Sequence, residues 1–316
     1  MTKNCYSNVL DETMAITIIQ IQRWTKMLLG KSVEHVHQGE GKVYSKDEIK
    51  GYYNDLTEKV TIDKSLLYSD KLPLIKQLDG QYIYFPVAIF QYALGCYDLW
   101  LIEKDEIYKK KFIQCALWTL EKQDEEGRWD NFSHVYKNAP YGAMAQGEGA
   151  SVLLRAYVLT GNVSYRKAAR KAVDFMLQGL EKGGTTEYAD GKVIFKEYTN
   201  QPVVLNGWIF AWWGLYDYVL STNDNDRYKS LLNKSLDSLV KSLPIFKNNY
   251  WSLYDYDRKL TSPFYHNLHI AQMKVMYDLT GKEIFKEYAN RWQKQQRNVF
   301  CKSLAFIIKA IQKIKE

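Results

Sequence analysis

Four stretches of this chain are apolar on nearly every side over a helical length: Phe85–Leu101, Ala145–Gly161, Val204–Leu220 and Tyr265–Gly281. Toward the end of each stands a tyrosine, Tyr97, Tyr157, Tyr216 and Tyr277, at successive spacings of 60, 59 and 61 residues. A run this evenly apolar reads as a helix buried on most sides. Each is followed by a second stretch, Tyr108–Gln123, Ser164–Leu180, Asp226–Leu243 and Lys282–Gln295, in which Lys and Arg mark one water-facing side. The breaks between partners are short, as at Thr160-Gly161-Asn162 and Thr280-Gly281, which is how antiparallel helical hairpins are joined.

A unit repeated four times predicts a repeat architecture. The expected fold is all-α: an α/α toroid of about four helical hairpins, with an open α-solenoid as the alternative. The toroid is preferred because it gathers three long connectors, Gly127–Met144, Gly183–Val203 and Lys247–Phe264, at one end. Turn residues and alternating aromatics within them read as short β-hairpins, and connectors of this length are usually functional. The chain up to Asp79 lacks the repeat, although Gly51–Val60 and Gly80–Phe85 look extended. The expected division is therefore an N-terminal extension over 1–80 packing on the toroid near the cleft, the α/α barrel over 81–298, and a basic amphipathic helix over 299–316. In that last segment Phe300, Leu304, Ile307, Ile308 and Ile311 recur at helical spacing among Lys302, Lys309, Lys313 and Lys315. It reads either as a helix docked on the body or as one lying on an anionic membrane surface.

Hydrophobic residues make up 46% of the 316-residue chain and charged residues 25%, which places it among soluble globular proteins. The 25 Tyr, 9 Trp and 12 Phe suit a core whose polar tips are satisfied, and equally a cleft lined for carbohydrate. The net charge of +7 suits an anionic partner. No basic block resembles a nucleic-acid arm, so nucleic acid is not expected. Cys5, Cys96, Cys115 and Cys301 show no metal or redox spacing; Cys96 and Cys115 fall in apolar helical patterns and read as buried free thiols. That usage suggests a reducing, cytoplasmic location. The apolar stretch Met14–Leu29 is interrupted by Gln20, Gln22, Arg23 and Lys26, unlike a signal peptide or a membrane span.

The repeat sets comparable positions on the connector rim: Tyr84 and Gln91; Tyr141, Gln146 and Glu148; Glu197, Tyr198 and Asn206; Tyr254, Asp255, Tyr256, Arg258, Tyr265, His266 and His269. Helix N-termini converge there too and favour an anion. Several of these residues have plain alternatives: Gln146 and Asn206 as helix caps, Tyr254 as packing, Glu197 as the partner of a Lys or Arg, and Arg258 as a surface charge beside Asp257. His266 and His269 share a face, but no third ligand accompanies them, so no metal is expected.

The segments Tyr141–Tyr157 (YGAMAQGEGASVLLRAY), Val204–Tyr218 (VLNGWIFAWWGLYDY) and Tyr265–Trp292, with Tyr84–Tyr92, together resemble the C-terminal domain of D-glucuronyl C5-epimerases. The resemblance implies an α/α barrel, an acidic heparosan-like polysaccharide as substrate, no cofactor, and a homodimer. It also implies a catalytic set of one Glu, two Tyr and an Arg: Glu197 before the VLNG helix, Tyr254 in a Tyr-Asp element, Tyr265 in the Tyr-His element, and Arg258. A second Tyr-Asp at Tyr256-Asp257 leaves Tyr256 as a rival of Tyr254. The remaining rim residues, Tyr84, Gln91, Tyr141, Gln146, Glu148, Tyr198, Asn206, His266 and His269, are expected to bind substrate.

That chemistry suits those residue types. Removing the C5 proton of a uronate places enolate charge beside a carboxylate, so a base is needed on one face and an acid on the other. A phenol at its ordinary pKa of about 10 is a ready acid and a poor base, and a nearby Arg would favour phenolate. Other readings of the same cleft are a lyase, which shares the first proton abstraction, a hydrolase using Glu197 with Glu148 or Asp255, and a glycan-binding protein without activity.

Overall fold

A computed structural model describes residue 25, residues 36–77, 80–222 and 226–315. Cys5 and nearly all of the stretch Met14–Leu29 lie outside the described residues. A short helix α1 (Glu58–Thr61) and a small hairpin of β1 (Ile75–Lys76) and β2 (Tyr82–Ile83) precede the repeat. Then come four helical hairpins: α2 (Pro86–Glu103) with α3 (Glu106–Glu121), α4 (Ala143–Thr160) with α5 (Val163–Met176), α6 (Leu205–Leu220) with α7 (Asp226–Ser242), and α8 (Pro263–Thr280) with α9 (Glu283–Arg297). The helix α10 (Val299–Lys315) follows. The fold is an all-α, α/α toroid: α2, α4, α6 and α8 form the inner wall in chain order, and each is backed by its hairpin partner.

The hairpin turns follow from a shared two-residue device. The inner helix ends on a left-handed residue, Lys104, Gly161 or Gly281, with φ of 60°, 70° and 65°. The next residue begins the outer helix, and Asp105 and Asn162 cap it by accepting from the amides of Ile107 and Ser164. Inner helices approach closely where glycine permits it. A Cβ on Gly214 of α6 would lie 2.3 Å from Cα of Gly147 in α4, so these two helices cross backbone on backbone. Most of the aromatic content is core: Trp129, Trp208, Trp212, Trp213, Trp251 and Trp292 are fully buried. Trp129, Trp208 and Trp212 place their indole N–H on Thr119 O, Ser235 Oγ and Leu232 O. Cys96 and Cys115 are buried free thiols, as their apolar settings predict.

The segment 36–61 lies across the C-terminal ends of the inner helices, the end opposite the connectors. Tyr52 N donates to Asp98 of α2, Arg155 of α4 donates to the carbonyls of Lys50 and Gly51, and Tyr53 Oη donates to Asp217 of α6. Glu40 pairs with Lys274 of α8, and Tyr44 bonds to Asp278. The extension thus straps the far end, and its helix α1 reaches inward so that Lys59 faces Glu148. The contacts are polar: the strap supplies further partners to Asp98, Arg155 and Asp217, which the repeat buries there.

Candidate active site

The connectors do more than link the hairpins. Each returns to the N-terminus of the preceding inner helix and ties its first amides down. Asn131 Oδ1 accepts from Val87 N of α2, the carbonyl of Lys196 accepts from Ala143 N of α4, and the carbonyl of Tyr254 accepts from Leu205 N of α6. These backbone bonds fix Glu197 and Tyr254 on the rim, and they occupy helix-terminal amides that the sequence offers to an anion. The second connector forms β3 (Thr186–Ala189) and β4 (Lys192–Phe195), paired antiparallel. Its Asp190-Gly191 turn has φ of 51° and 72°, the double left-handed geometry of a tight hairpin. The third connector is a narrower loop in which Leu253 pairs with Leu260 and Tyr254 N donates to Lys259 O.

Glu197 sits between two glycines. A Cβ on Gly207 would lie 2.2 Å from Glu197 Oε2, and one on Gly142 would lie 1.9 Å from the Glu197 carbonyl oxygen. Only glycine fits at either place. The carboxyl is buried, the Tyr198 phenol hydrogen-bonds to it, and Oε2 has no partner. The rings of Tyr254 and Tyr265 meet edge to face at 5.0 Å. Tyr254 feels the charges of Glu197, Tyr265 and Tyr198, so these four side chains form one cluster. It contains Glu197, Tyr254 and Tyr265, three of the four residues of the expected catalytic set; Arg258 is not among them.

Below the cluster, the inner wall carries further polar groups. Gln91 Nε2 of α2 donates to Glu148 Oε1 of α4 at 3.0 Å, and Gln272 Nε2 of α8 donates to Asn206 O of α6 at 3.2 Å. Glu148 Oε2, Asn206 Oδ1 and Gln272 Oε1 are buried without partners. Unpartnered buried polar atoms also occur away from this wall, as at Asp98 and Tyr288, but here three oxygens share one wall of the cleft.

Burial raises the Glu197 carboxyl to about 7, with the Tyr198 hydrogen bond opposing. Burial likewise raises Glu148 to about 8, opposed by Gln91 and by Lys59 of α1 and assisted by the Glu197 charge. Tyr254 is pushed well above the ordinary phenol range by burial and then by Glu197, and Tyr198 by Glu197 and then by burial. In this cluster Glu197 is therefore the group poised to take a proton near neutral pH, while Tyr254 and Tyr198 hold theirs.

Other rim residues lie elsewhere. Arg258 is exposed at the tip of the third connector in a left-handed conformation (φ 61°), and its guanidinium reaches the carbonyls of Ile245 and Lys247 at 3.4 and 3.5 Å. Asp255 accepts from Lys259 N and closes the turn, with Arg258 at its exposed tip. Tyr256 turns to the outer wall, where its hydroxyl donates to Ser242 Oγ at 2.7 Å. Geometry thus separates the two rivals: Tyr254 joins the cluster and Tyr256 does not. His266 stacks on Trp251 at 3.6 Å and bonds Ser252 and the Trp292 carbonyl; His269 also faces Ser252. Burial lowers both, His269 to about 3, so they are neutral packing groups of the α8–α9 hairpin. Tyr141 lies under the Arg128 guanidinium, 4.7 Å from ring centre, and against Phe175. Gln146 is fully buried, with both amide atoms unpartnered. Tyr84 is exposed beside Trp118. Among the described residues, no three His, Cys, Asp or Glu side chains gather as metal ligands.

Residues 123–294 match the family model described as the D-glucuronyl C5-epimerase C-terminus. The chain belongs to that family. The match takes in Glu197, Tyr198, Tyr254 and Tyr265 but leaves α2, with Gln91, outside. A D-glucuronyl C5-epimerase of Caenorhabditis elegans is 26% identical over 220 residues, 61% of this chain and 36% of that protein. An uncharacterized protein of Methanocaldococcus jannaschii is 32% identical over 158 residues, 48% of this chain and 51% of that protein. The chain thus aligns with a third to a half of the length of these relatives. A solved unsaturated glucuronyl hydrolase of Bacillus sp. GL1, 12% identical with a TM-score of 0.45 over 66% of this chain and 60% of that one, is too slight a likeness to carry chemistry across.

Sequence reasoning passed over Gly142, Gly207, Lys59 and Gln272. The first two were legible as glycines flanking the acidic-aromatic element. Lys59 reaches Glu148 from a segment with no repeat to locate it.

Proposed function

We propose that this epimerase-family chain is an isomerase that inverts C5 of D-glucuronic acid residues, to L-iduronic acid, in a heparosan-like acidic polysaccharide. The convergence of a buried, unpaired carboxyl oxygen with the Tyr254–Tyr265 pair carries this reading. Glu197 takes the C5 proton from one face, and a phenol of the tyrosine pair returns a proton to the other. Raised proton affinity keeps Tyr254 protonated until the enolate takes its proton, and Glu197, poised near neutrality, is the base; proton exchange with solvent then returns both groups to their starting forms. Orphaned oxygens of Glu148, Asn206 and Gln272 await sugar hydroxyls or water.

Heparosan and its N-sulfated form incubated with the protein in deuterated water test this directly, with NMR of the uronate C5 position as the readout. Deuterium at C5 without chain shortening is expected. A second buried carboxyl near the first, Glu148, favours one rival, a hydrolase, which needs two such groups. New reducing ends and no C5 label would establish the rival instead, and an unsaturated uronate would establish a lyase.

A further inference from the structure

The strap places a cation inside the toroid. Its helix α1 crosses α2 at Gly95, where a Cβ would lie 2.4 Å from the Leu56 carbonyl oxygen and 3.0 Å from Val60 Cγ2. Leu56 and Val60 are fully buried in that crossing. Gly95 stands one turn from Gln91 on the same face of α2, and Gln91 holds Glu148 of α4. Lys59, next to the buried anchor Val60, is partly exposed and feels the charge of Glu148. Glu148 in turn feels Glu197, so the ammonium, the second carboxyl and the Glu197 cluster succeed one another inside the toroid. Among the described residues the ammonium makes no hydrogen bond and no close ion pair.

We propose that Lys59 is a substrate-binding residue that receives the uronate carboxylate, so that the strap, and not the barrel alone, makes the site selective for acidic sugars. The identity of that anion, a uronate, rests on the proposed reaction. A carboxylate drawn out of water is stable only when paired. Arg258 lies exposed on the third connector, away from the cluster, whereas Lys59 is already inside. Its charge is also unspent: burial keeps Glu148 protonated up to about 8, which makes it a neutral neighbour at pH 7. Three rotatable donors on a flexible stem let the ammonium follow the carboxylate. Its attraction grows as the C5 proton leaves, because enolate charge builds on that same group.

Calorimetric binding of a heparosan hexasaccharide, and of the same hexasaccharide with its carboxyl groups reduced to alcohols, tests this without requiring turnover. The unaltered chain should bind the acidic form more tightly by about tenfold or more. Lys59→Gln and Lys59→Met should each weaken the acidic form about 10–100-fold, as the loss of a charged hydrogen-bond partner does. Binding of the neutral form should not change, and kcat/KM for C5 exchange should fall at least as far as the acidic affinity. Circular dichroism should show both variants folded, because Leu56 and Val60 anchor α1. Folded variants that bind the acidic form as the unaltered chain does overturn the proposal, since Lys59 is then only a neighbour of Glu148. Equal losses for the two hexasaccharides overturn it too, because the lysine then shapes the site without pairing with the carboxylate. If the charge-selective loss appears but no C5 deuterium does, Lys59 keeps its role and the proposed reaction is what fails.

Discussion

The two ends of the toroid's interior are built from the same repeat and finished differently, although Tyr52 Oη and Asp98 Oδ2 under the strap also lack partners. At the end under the strap, Asp217 accepts from Tyr53, Ser151 and Arg155, and Arg155 spends its remaining donors on the carbonyls of Lys50, Gly51 and Ser151. At the connector end, Glu197, Glu148, Asn206 and Gln272 each keep a buried oxygen without a partner. The Arg155–Asp217 network is satisfied and specifies structure, whereas the connector-end oxygens carry a cost that bound water or a ligand removes. Stability should therefore reside at one end and chemistry at the other, and substitutions at the two ends should separate these effects.

The largest effect belongs to the connector end. Glu197→Gln and Tyr254→Phe should each lower the rate of C5 deuterium exchange by about 10²–10⁴, with thermal melting unchanged or, for Glu197→Gln, raised. Tyr256→Phe, which removes only the bond to Ser242, should retain most of the activity. A loss as large for Tyr256 as for Tyr254 would contradict the separation of the two tyrosines. At the strap end, Arg155→Met leaves Asp217 buried without its cation and should cost about 3–5 kcal/mol in urea unfolding. Protein that remains folded should show little change in the chemical step.

The sequence made the repeat legible because a buried helix must be apolar all round and an outer one only on one side. Predicted inner helices such as Val204–Leu220 and Tyr265–Gly281 correspond to helices at Leu205–Leu220 and Pro263–Thr280. The turn at Lys104 carried no glycine signal, because a lysine holds the left-handed position there. Within the site, Tyr265 begins an inner helix and Glu197 shortly precedes one, so rim position follows from chain position, while the catalytic set itself, with Tyr254 and Tyr256 as rivals, is what the family resemblance implies. Side-chain direction on the third connector could not be read in that way. Whether Tyr254, Tyr256 or Arg258 points inward depends on where the turn closes, and Asp255 decides that by capping Lys259 N. The histidines misled for a related reason: a shared face on α8 is the outer face, toward Trp292.

A smaller effect should appear in the pH dependence of stability. Native Glu148 keeps its proton to about 8, whereas the unfolded chain releases it near 4.5. Between these values the native state binds more protons, so stability falls as pH rises, by up to about 1.4 kcal/mol per pH unit for this group. Glu197 and Asp98, both raised to about 7, add to the same decline over the lower part of the window. His269, neutral in the fold down to about 3, contributes a rise with pH below its ordinary value of 6.5. Glu148→Gln should flatten the decline when urea midpoints at about pH 5 and about pH 8 are compared. An unchanged slope would mean that Lys59 holds Glu148 ionised, making the pair a salt bridge like that at the other end.

The smallest effect, and the one that bears most directly on the third connector, is expected at Arg258. A left-handed arginine costs roughly 1–2 kcal/mol that glycine does not, and its two carbonyl contacts are long and exposed. Arg258→Gly should therefore hold or slightly raise the melting temperature, by an amount set by how much of the cost the lost contacts offset. If the arginine stays where the structure shows it, KM and the exchange rate should change by less than about tenfold, a 1.4 kcal/mol difference. A large rise in KM with an intact fold would show instead that the loop tip turns inward when substrate binds and brings the guanidinium to the uronate carboxylate. In that case the strained φ of 61° would belong to the open form of a clamp, and the connector end would acquire a second cation in addition to Lys59.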